Sequence, residues 1–325
     1  MTKCVVVLSS LVCLLASTAS QAQTYPSKSI TIVVTAAAGG VSDLVARTIG
    51  ERLSEAWGQP VVIENRGGAA HILGAQAVAK AAPDGHTLLL AEAATFVLNP
   101  VFFPKDKLAY DVDKDLVPIT GLVRIYQALV ANSDLPVANV RELIEFAKKK
   151  PREITYGTAG FGSAPHMNMV KFENMAQVAL QPVHYRGAAQ PLTDIMAGHI
   201  NLMSVSVSLV VQPFRERKLK LLAVGSPQRV SQLPDSPTVA ESGVPGYQAG
   251  TWFGLAAPGG TPREIVTKIN SEVTKILNDP GLRERILIPQ MFESMASTPE
   301  EFGQYIKSET RNWAKVIHEQ KLTVE

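Results

Sequence analysis

Six histidines, His71, His86, His166, His184, His199 and His318, are the first candidates for chemistry. None stands at metal-ligand spacing from another His or Cys, so the chain carries no sequence signature of a metal site. Ser163 precedes His166 by three residues and could be imagined as a nucleophile with its base. That chemistry wants the serine on a sharp G-x-S-x-G elbow, which the sequence lacks, and a polar loop leading into a helix is the plainer reading. Gly39-Gly40 has neither a following Walker lysine nor a full G-x-G-x-x-G, so nucleotide binding is weakly supported. What remains is four loops of small residues, at 36–43, 91–95, 158–163 and 186–189. Small side chains let backbone N–H groups approach a ligand. Where such a loop opens a helix, unpaired N–H groups and the helix dipole favour an anion. Asp43, in the first turn of such a helix, opposes an added negative charge by about 0.3–1 kcal/mol. These loops point to a small-carboxylate cleft without catalytic groups.

The elements that must position these loops alternate. Ile30-Thr31-Ile32-Val33-Val34 is a β-branched run and predicts a buried strand. Ser42 is placed to cap a helix whose apolar residues recur from Leu44 to Ala56 and stop at Gly58. Val61–Glu64 predicts a second strand, residues 72–82 an Ala-rich helix, Pro83-Asp84-Gly85 a turn and Leu88–Leu90 a third strand. Such a βαβαβ unit packs as a parallel sheet with right-handed crossovers. A long strand at 122–131 follows, then a helix opened by Asn139 and Glu142 as a capping box. Further strands are expected near 154–156, 183–185, 200–203, 221–224 and 252–256, with a short helix around 192–197. Thr261-Pro262-Arg263-Glu264 and Thr298-Pro299-Glu300-Glu301 both read as helix starts, with cap, early proline and acid. In an open α/β sheet, ligands bind outside the carboxyl ends of the strands, which is where the four loops fall.

The remaining composition limits the function classes. The chain has 325 residues, 46% hydrophobic and 18% charged, with Lys+Arg 31 against Asp+Glu 29. That length suggests about two domains and needs no disulfide or metal staple. The balanced charge argues against a nucleic-acid binder. Lys3, an apolar run from Val5 to Ala16 and Ser20-Gln21-Ala22 form a secretory signal layout, with cleavage expected after Ala22. The run of about 12 residues is too short to span a bilayer. Both cysteines, Cys4 and Cys13, lie inside that segment, and Val12 before Cys13 does not fit a lipidation site. The mature chain therefore has no thiol chemistry.

Strings spread along the whole mature chain carry a resemblance. They include Tyr25-Pro26-Ser27-Lys28-Ser29-Ile30, Gly39-Gly40-Val41-Ser42-Asp43-Leu44-Val45-Ala46-Arg47 and Gly58-Gln59-Pro60-Val61-Val62-Ile63-Glu64-Asn65-Arg66. Pro83-Asp84-Gly85-His86-Thr87-Leu88, Asn99-Pro100, Tyr156-Gly157-Thr158-Ala159-Gly160 and Tyr185-Arg186-Gly187 follow in order. Leu192-Thr193-Asp194, Pro237-Thr238-Val239-Ala240-Glu241 and Trp252-Phe253-Gly254-Leu255 complete the set. Together they resemble the Bug-type periplasmic receptors, the substrate-binding proteins of tripartite tricarboxylate transporters. The resemblance implies an α/β, two-lobed, flytrap-like binding protein, each lobe a mostly parallel sheet flanked by helices. It places residues 1–22 in the signal peptide, 23–124 and 245–325 in lobe one, and 125–244 in lobe two. Hinge strands would lie near 122–131 and 252–257.

By the same resemblance the protein is a periplasmic monomer that binds a small organic acid and releases it unchanged to membrane transporter subunits. No enzymatic activity, cofactor or nucleic acid is implied. The residues carried over are Ala37, Gly39, Gly40 and Ser42 in the first loop and Thr95 in the second. Lobe two would supply Ala159, Gly162, Ser163, His166, Tyr185, Arg186 and Gly187. Two departures stand out. Ala36-Ala37-Ala38 replaces the aromatic and proline residues usual before the glycine pair, implying a looser, roomier loop that costs more entropy to order. Val205 aligns with a position where many members carry an Asp, which disfavours a ligand ammonium and favours an uncharged or carboxylate-only ligand. The rival functions are a receptor that signals ligand to a periplasmic sensor kinase, and an exported α/β hydrolase using Ser163 and His166.

Overall fold

The computed structural model describes residues 25–319 except 186 and 188, together with residue 322. The expected signal peptide and Arg186 lie outside the described residues. The chain begins with β1 (Ile30–Val34), α1 (Val41–Trp57), β2 (Val61–Asn65), α2 (Ile72–Ala79) and β3 (Thr87–Glu92). Short helical turns over Ala94–Leu98 and Asn99–Phe102 lead to β4 (Leu116–Asn132). Next come α3 (Val140–Lys149), β5 (Thr155–Thr158), α4 (Ala164–Ala176), β6 (Gln181–His184), α5 (Ala189–Ala197), β7 (Leu202–Ser206), α6 (Val207–Arg215) and β8 (Leu219–Val224). The chain returns through β9 (Gly250–Pro258) and α7 (Arg263–Leu277), then ends with β10 (Phe292–Ser294) and α8 (Pro299–Glu319).

β1 is β-branched and buries four of its five residues, as a strand covered on both faces should. It pairs in parallel with β2 and with β3. α1 stops at Gly58, whose φ of +64° favours glycine and whose N–H reaches Ser54 O at 2.9 Å. Its start differs from expectation. Gly40 is the N-cap, and Ser42 sits inside the first turn and is buried. The Asp43 carboxylate reaches back to accept from Gly39 N–H at 3.0 Å, which braces the loop ahead of the helix and leaves α1 without a side-chain cap. Thr261 likewise does not cap α7, because its hydroxyl donates to Pro258 O at 2.8 Å. The other two expected boxes form. Asn139 Oδ1 accepts from Glu142 N–H at 3.0 Å, and Thr298 Oγ1 from Glu301 N–H at 3.2 Å.

β4 organises the molecule. The sheet order is β2-β1-β3-β9-β4-β7-β5-β6, with β8 and β10 also paired to β4. Antiparallel pairing with β9 runs from Leu116↔Pro258 to Tyr126↔Gly250. Antiparallel pairing with β7 then runs from Gln127↔Ser206 to Ala131↔Leu202. β5 is parallel to both β6 and β7. The strand is longer than the sequence suggested because both of its halves are paired, one in each lobe.

Each lobe has its own apolar layers. Around β1, β3 and β9 these hold Ile32, Leu88, Leu255 and Ile269 on one face and Leu89, Phe96, Trp252 and Phe302 on the other. Around β5 and β7 they hold Leu129, Tyr156 and Phe172, and Val130, Met203 and Val210. The fold is two-lobed α/β.

Register fixes where the strand ends point. Glu92, ending β3, sits beside Phe253, and Gly250 on that same strand β9 sits beside Tyr126. Ser206, ending β7, sits beside Gln127. Phe253 in turn pairs with Val123, so the carboxyl ends of both parallel sets face one stretch of β4, residues 123–127, from opposite sides. That is the geometry a cleft between two α/β halves requires.

Candidate functional site

Four loops leave those strand ends. In the first, Ala37, Ala38, Gly39 and Gly40 are exposed, and α1 presents its first N–H groups without intrahelical partners. The loop is braced from behind. Asn65 Nδ2 donates to Ala36 O at 3.2 Å, and a side chain at Gly67 would meet Ala37 N at 3.1 Å. Asp43 Oδ2 accepts from Gly39 N–H and from Arg47 Nε, both at 3.0 Å. The Arg47 hydrogen bond, then that of Gly39, holds the buried carboxyl below the usual carboxylate range. Gly39 N–H is thus committed to Asp43 rather than turned outward. Its φ is +82°, which glycine adopts freely, whereas Gly40 has φ −87°.

Behind the first loop, His71 Nδ1 donates to Thr35 O at 2.8 Å, and Nε2 donates to Glu92 Oε1 at 2.7 Å. Both ring nitrogens have acceptors, so the ring is an imidazolium. Burial pulls its pKa down, but the Glu92 carboxylate outweighs this and raises it to about 9. Glu92 is correspondingly held below its usual range despite burial. This pair ties the end of β1 to the end of β3. The second loop carries Thr95, fully buried, whose Oγ1 has no hydrogen-bond partner among the described residues.

The third loop is a tight turn into α4. Ser163 Oγ donates to Gly160 O at 2.6 Å, and His166 Nδ1 accepts from Gly162 N–H at 3.1 Å. Ser163 and His166 are therefore not joined as nucleophile and base. Burial, helped by His184, lowers the His166 pKa to about 4, so its imidazole is neutral. Thr158 Oγ1 accepts from Gly160 N–H at 3.2 Å and meets His184 Nδ1 at 2.7 Å. In the fourth loop, Tyr185 OH donates to Asp194 Oδ2 at 2.7 Å. Burial, and then Asp194, raises that phenol to about 12. Gly187 N–H donates to Ala159 O at 3.3 Å, joining loops three and four.

The structure brings Ala159, Gly162, Ser163, His166, Tyr185 and Gly187 together on one lobe, with Ala37, Gly39, Gly40, Ser42 and Thr95 on the other. The lobes touch here. The Phe102 and Phe161 rings meet edge to face at 5.4 Å, one from each lobe. Val205 goes elsewhere. It lies within β7 opposite Ala128 and packs in the lobe core with Val207 and Val210, 2% exposed. β7 runs to Ser206, three residues beyond the 203 expected from the sequence, which puts this side chain inside the sheet. Sequence reading also passed over His184, Phe161 and the His71–Glu92 pair. For His184 a signal was present, since it ends a strand next to Tyr185.

A cavity of about 290 Å³ adjoins these loops at Ala94 and Ala164. It runs between α4 and α8 over β4 and β9, and includes Arg124, Lys171, Trp252 and Tyr305. Among the described residues no cluster of three His, Cys, Asp or Glu could hold a metal ion, and no helix is long and apolar enough to cross a membrane.

Two lobes on a shared β4, with small-residue loops facing across them, define a periplasmic-type solute-binding protein. Among solved structures, R. palustris Rpa4515 with adipate has a TM-score of 0.81 and 32% identity, over 90% of this chain and 97% of that one. MatC (Rpa3494) from Rhodopseudomonas palustris with bound malate has a TM-score of 0.78 and 32% identity, over 90% and 100%. Protein BugT of Bordetella pertussis is 31% identical over 92% of this chain and 91% of its own length. The model of the tripartite tricarboxylate transporter family receptor, TctC, matches residues 45–322. The chain belongs to that family, a family of solute receptors rather than enzymes.

Proposed function

We propose that this protein is exported to the periplasm, binds a small organic carboxylate between its lobes and hands it to the membrane subunits of a tripartite tricarboxylate-type transporter. The observation that carries this reading is the convergence of both sets of strand ends on residues 123–127 of β4. It faces the first-turn N–H groups of α1 toward the loops before α4 and α5. Fixed N–H dipoles in a closing cleft replace water around a carboxylate without supplying a nucleophile. Adipate and malate in two relatives support the ligand class.

The lobes are residues 23–124 with 245–325, and residues 125–244, joined where β4 and β9 cross the seam. Ligand contacts come from Ala37, Gly39, Gly40, Ser42 and Thr95 on one side. Ala159, Gly162, Ser163, His166, Tyr185, Arg186 and Gly187 supply the other. A ligand that favours the closed arrangement shifts the population toward it by its differential affinity, and the closed complex is the form the transporter takes up.

The test is a thermal-shift screen of the mature protein against mono-, di- and tricarboxylates, amino acids and neutral sugars. A cognate acid at 100 times its Kd adds about 2.7 kcal/mol of stability. Gly40→Val is the informative variant, because Gly40 has an ordinary φ and a Cβ there meets only Ala37 O at 3.7 Å. It should abolish the shift while leaving the unliganded melting temperature within a few degrees. Stabilisation by sugars alone, or unchanged acid binding in this variant, would move the site elsewhere.

A further inference from the structure

The third loop ends in a feature that packing does not explain. Phe161, in Gly160-Phe161-Gly162, leaves 37% of its surface exposed at the point where the lobes meet. It is the centre of a ring cluster. Phe102 of the opposite lobe lies at 5.4 Å, His166 at 4.9 Å and His184 at 5.9 Å. His166 and His184 stand perpendicular at 4.8 Å. His166 Nδ1 accepts from Gly162, which puts its proton on Nε2 and leaves a neutral ring. The wall is therefore aromatic on both lobes and offers π-faces and N–H edges instead of ion pairs.

Cationic side chains are scarce on the loops themselves, and Arg124 and Lys171 lie in the adjoining cavity. Among the described residues of the four loops there is no cationic side chain, and Arg47 beside them is committed to Asp43. Arg186 supplies at most one cation by sequence. One cation and one helix N-terminus suit one carboxylate. The methyl side chains of Ala36, Ala37 and Ala38 take little volume on the facing loop.

Resting on the receptor reading above, we propose that the cleft is specific for an arene monocarboxylate, with the ligand ring packed against Phe161 and Phe102 and its carboxylate toward the α1 N-terminus. Phe161 is the specificity-determining residue. Aromatic rings pack edge to face or offset, so a flat ligand extends the array, whereas a flexible aliphatic acid gains only area and loses rotamer freedom.

The experiment is calorimetric titration of the mature protein with benzoate, 4-hydroxybenzoate, adipate, malate and citrate. An arene acid should bind at least tenfold more tightly than any aliphatic acid. Phe161→Leu keeps apolar bulk but removes the ring, and its unliganded melting temperature checks that the fold is kept. It should weaken arene binding fivefold or more and weaken adipate binding by a clearly smaller factor. Tighter binding of adipate, malate or citrate than of either arene acid overturns this inference while leaving the receptor reading intact. So does an equal loss for both ligand classes in Phe161→Leu. Binding of none of the five acids, with stabilisation by neutral sugars alone, fails the carboxylate reading of the receptor itself.

Discussion

His71 shows how one residue couples stability to the architecture of the cleft. Its two N–H groups hold the last residue of β3 and the carbonyl of Thr35 just past β1. Its pKa is raised to about 9, from an ordinary value near 6.5. A raised basic group stabilises fully below the unfolded value and loses that contribution as pH climbs through the folded one. His71→Gln should therefore cost up to about 3 kcal/mol at pH 6 in urea unfolding. The difference from wild type should shrink through pH 9. A constant difference up to pH 10 would mean that packing, not charge, is lost.

His166 works in the opposite sense. Burial, then the His184 ring, lowers its pKa to about 4, so the unfolded chain takes up a proton that the folded one refuses. Stability should fall as pH drops from about 6.5 toward 4, and His166→Gln should flatten that part of the acid limb. The check is the urea midpoint followed across that range. Which residue types could do chemistry was readable from sequence, but which histidine carries charge was not. That depends on Glu92, Thr35 and Gly162, which are distant or unmarked partners.

At the scale of elements, local signals worked where the partners are close in sequence. The boxes at the starts of α3 and α8 formed because each side chain satisfies an N–H three residues away. Asn139→Ala and Thr298→Ala should each cost about 1 kcal/mol, read from denaturant midpoints with unchanged slopes. The local signal failed at α1, where Gly40 rather than Ser42 is the N-cap and the adjacent Asp43 holds the preceding loop instead. α4 gave no one-sided apolar stripe to read, because it is buried around much of its circumference. His166, Met167, Asn168, Met169, Val170 and Phe172 are all inside. Met167 packs against the facing lobe while Phe172 packs in its own. β9 is constrained in a way no pattern shows, since a Cβ on Gly254 would collide with the Phe302 ring. Gly254→Ala should destabilise by about 1–3 kcal/mol through overpacking, measured by thermal unfolding.

For the whole molecule, the decisive fact is that one strand serves two lobes. The main-chain path crosses between them at β4 and β9, and the Phe102–Phe161 contact spans the gap. Ligand binding should shift the population toward the closed arrangement, lowering the radius of gyration seen by small-angle scattering. Trp252 lies on β9 near the seam, stacked on Phe96 at 5.8 Å with Nε1 unpartnered among the described residues. Its fluorescence should report the same transition with the same ligand midpoint. Different midpoints for the two signals would show that closure and binding are separate events.

The amino-acid sequence by itself determined the alternation of strands and helices, the small-residue loops and the absence of a catalytic motif. These are written in short-range periodicity, turn residues and side-chain type. Tertiary structure alone decided which loops face one another, because that follows from the register of β4 against β9 and β7. The same register buried Val205 and gave the Phe161 ring its neighbours from both lobes. Contacts between residues far apart in the chain leave no local trace until the sheet is assembled.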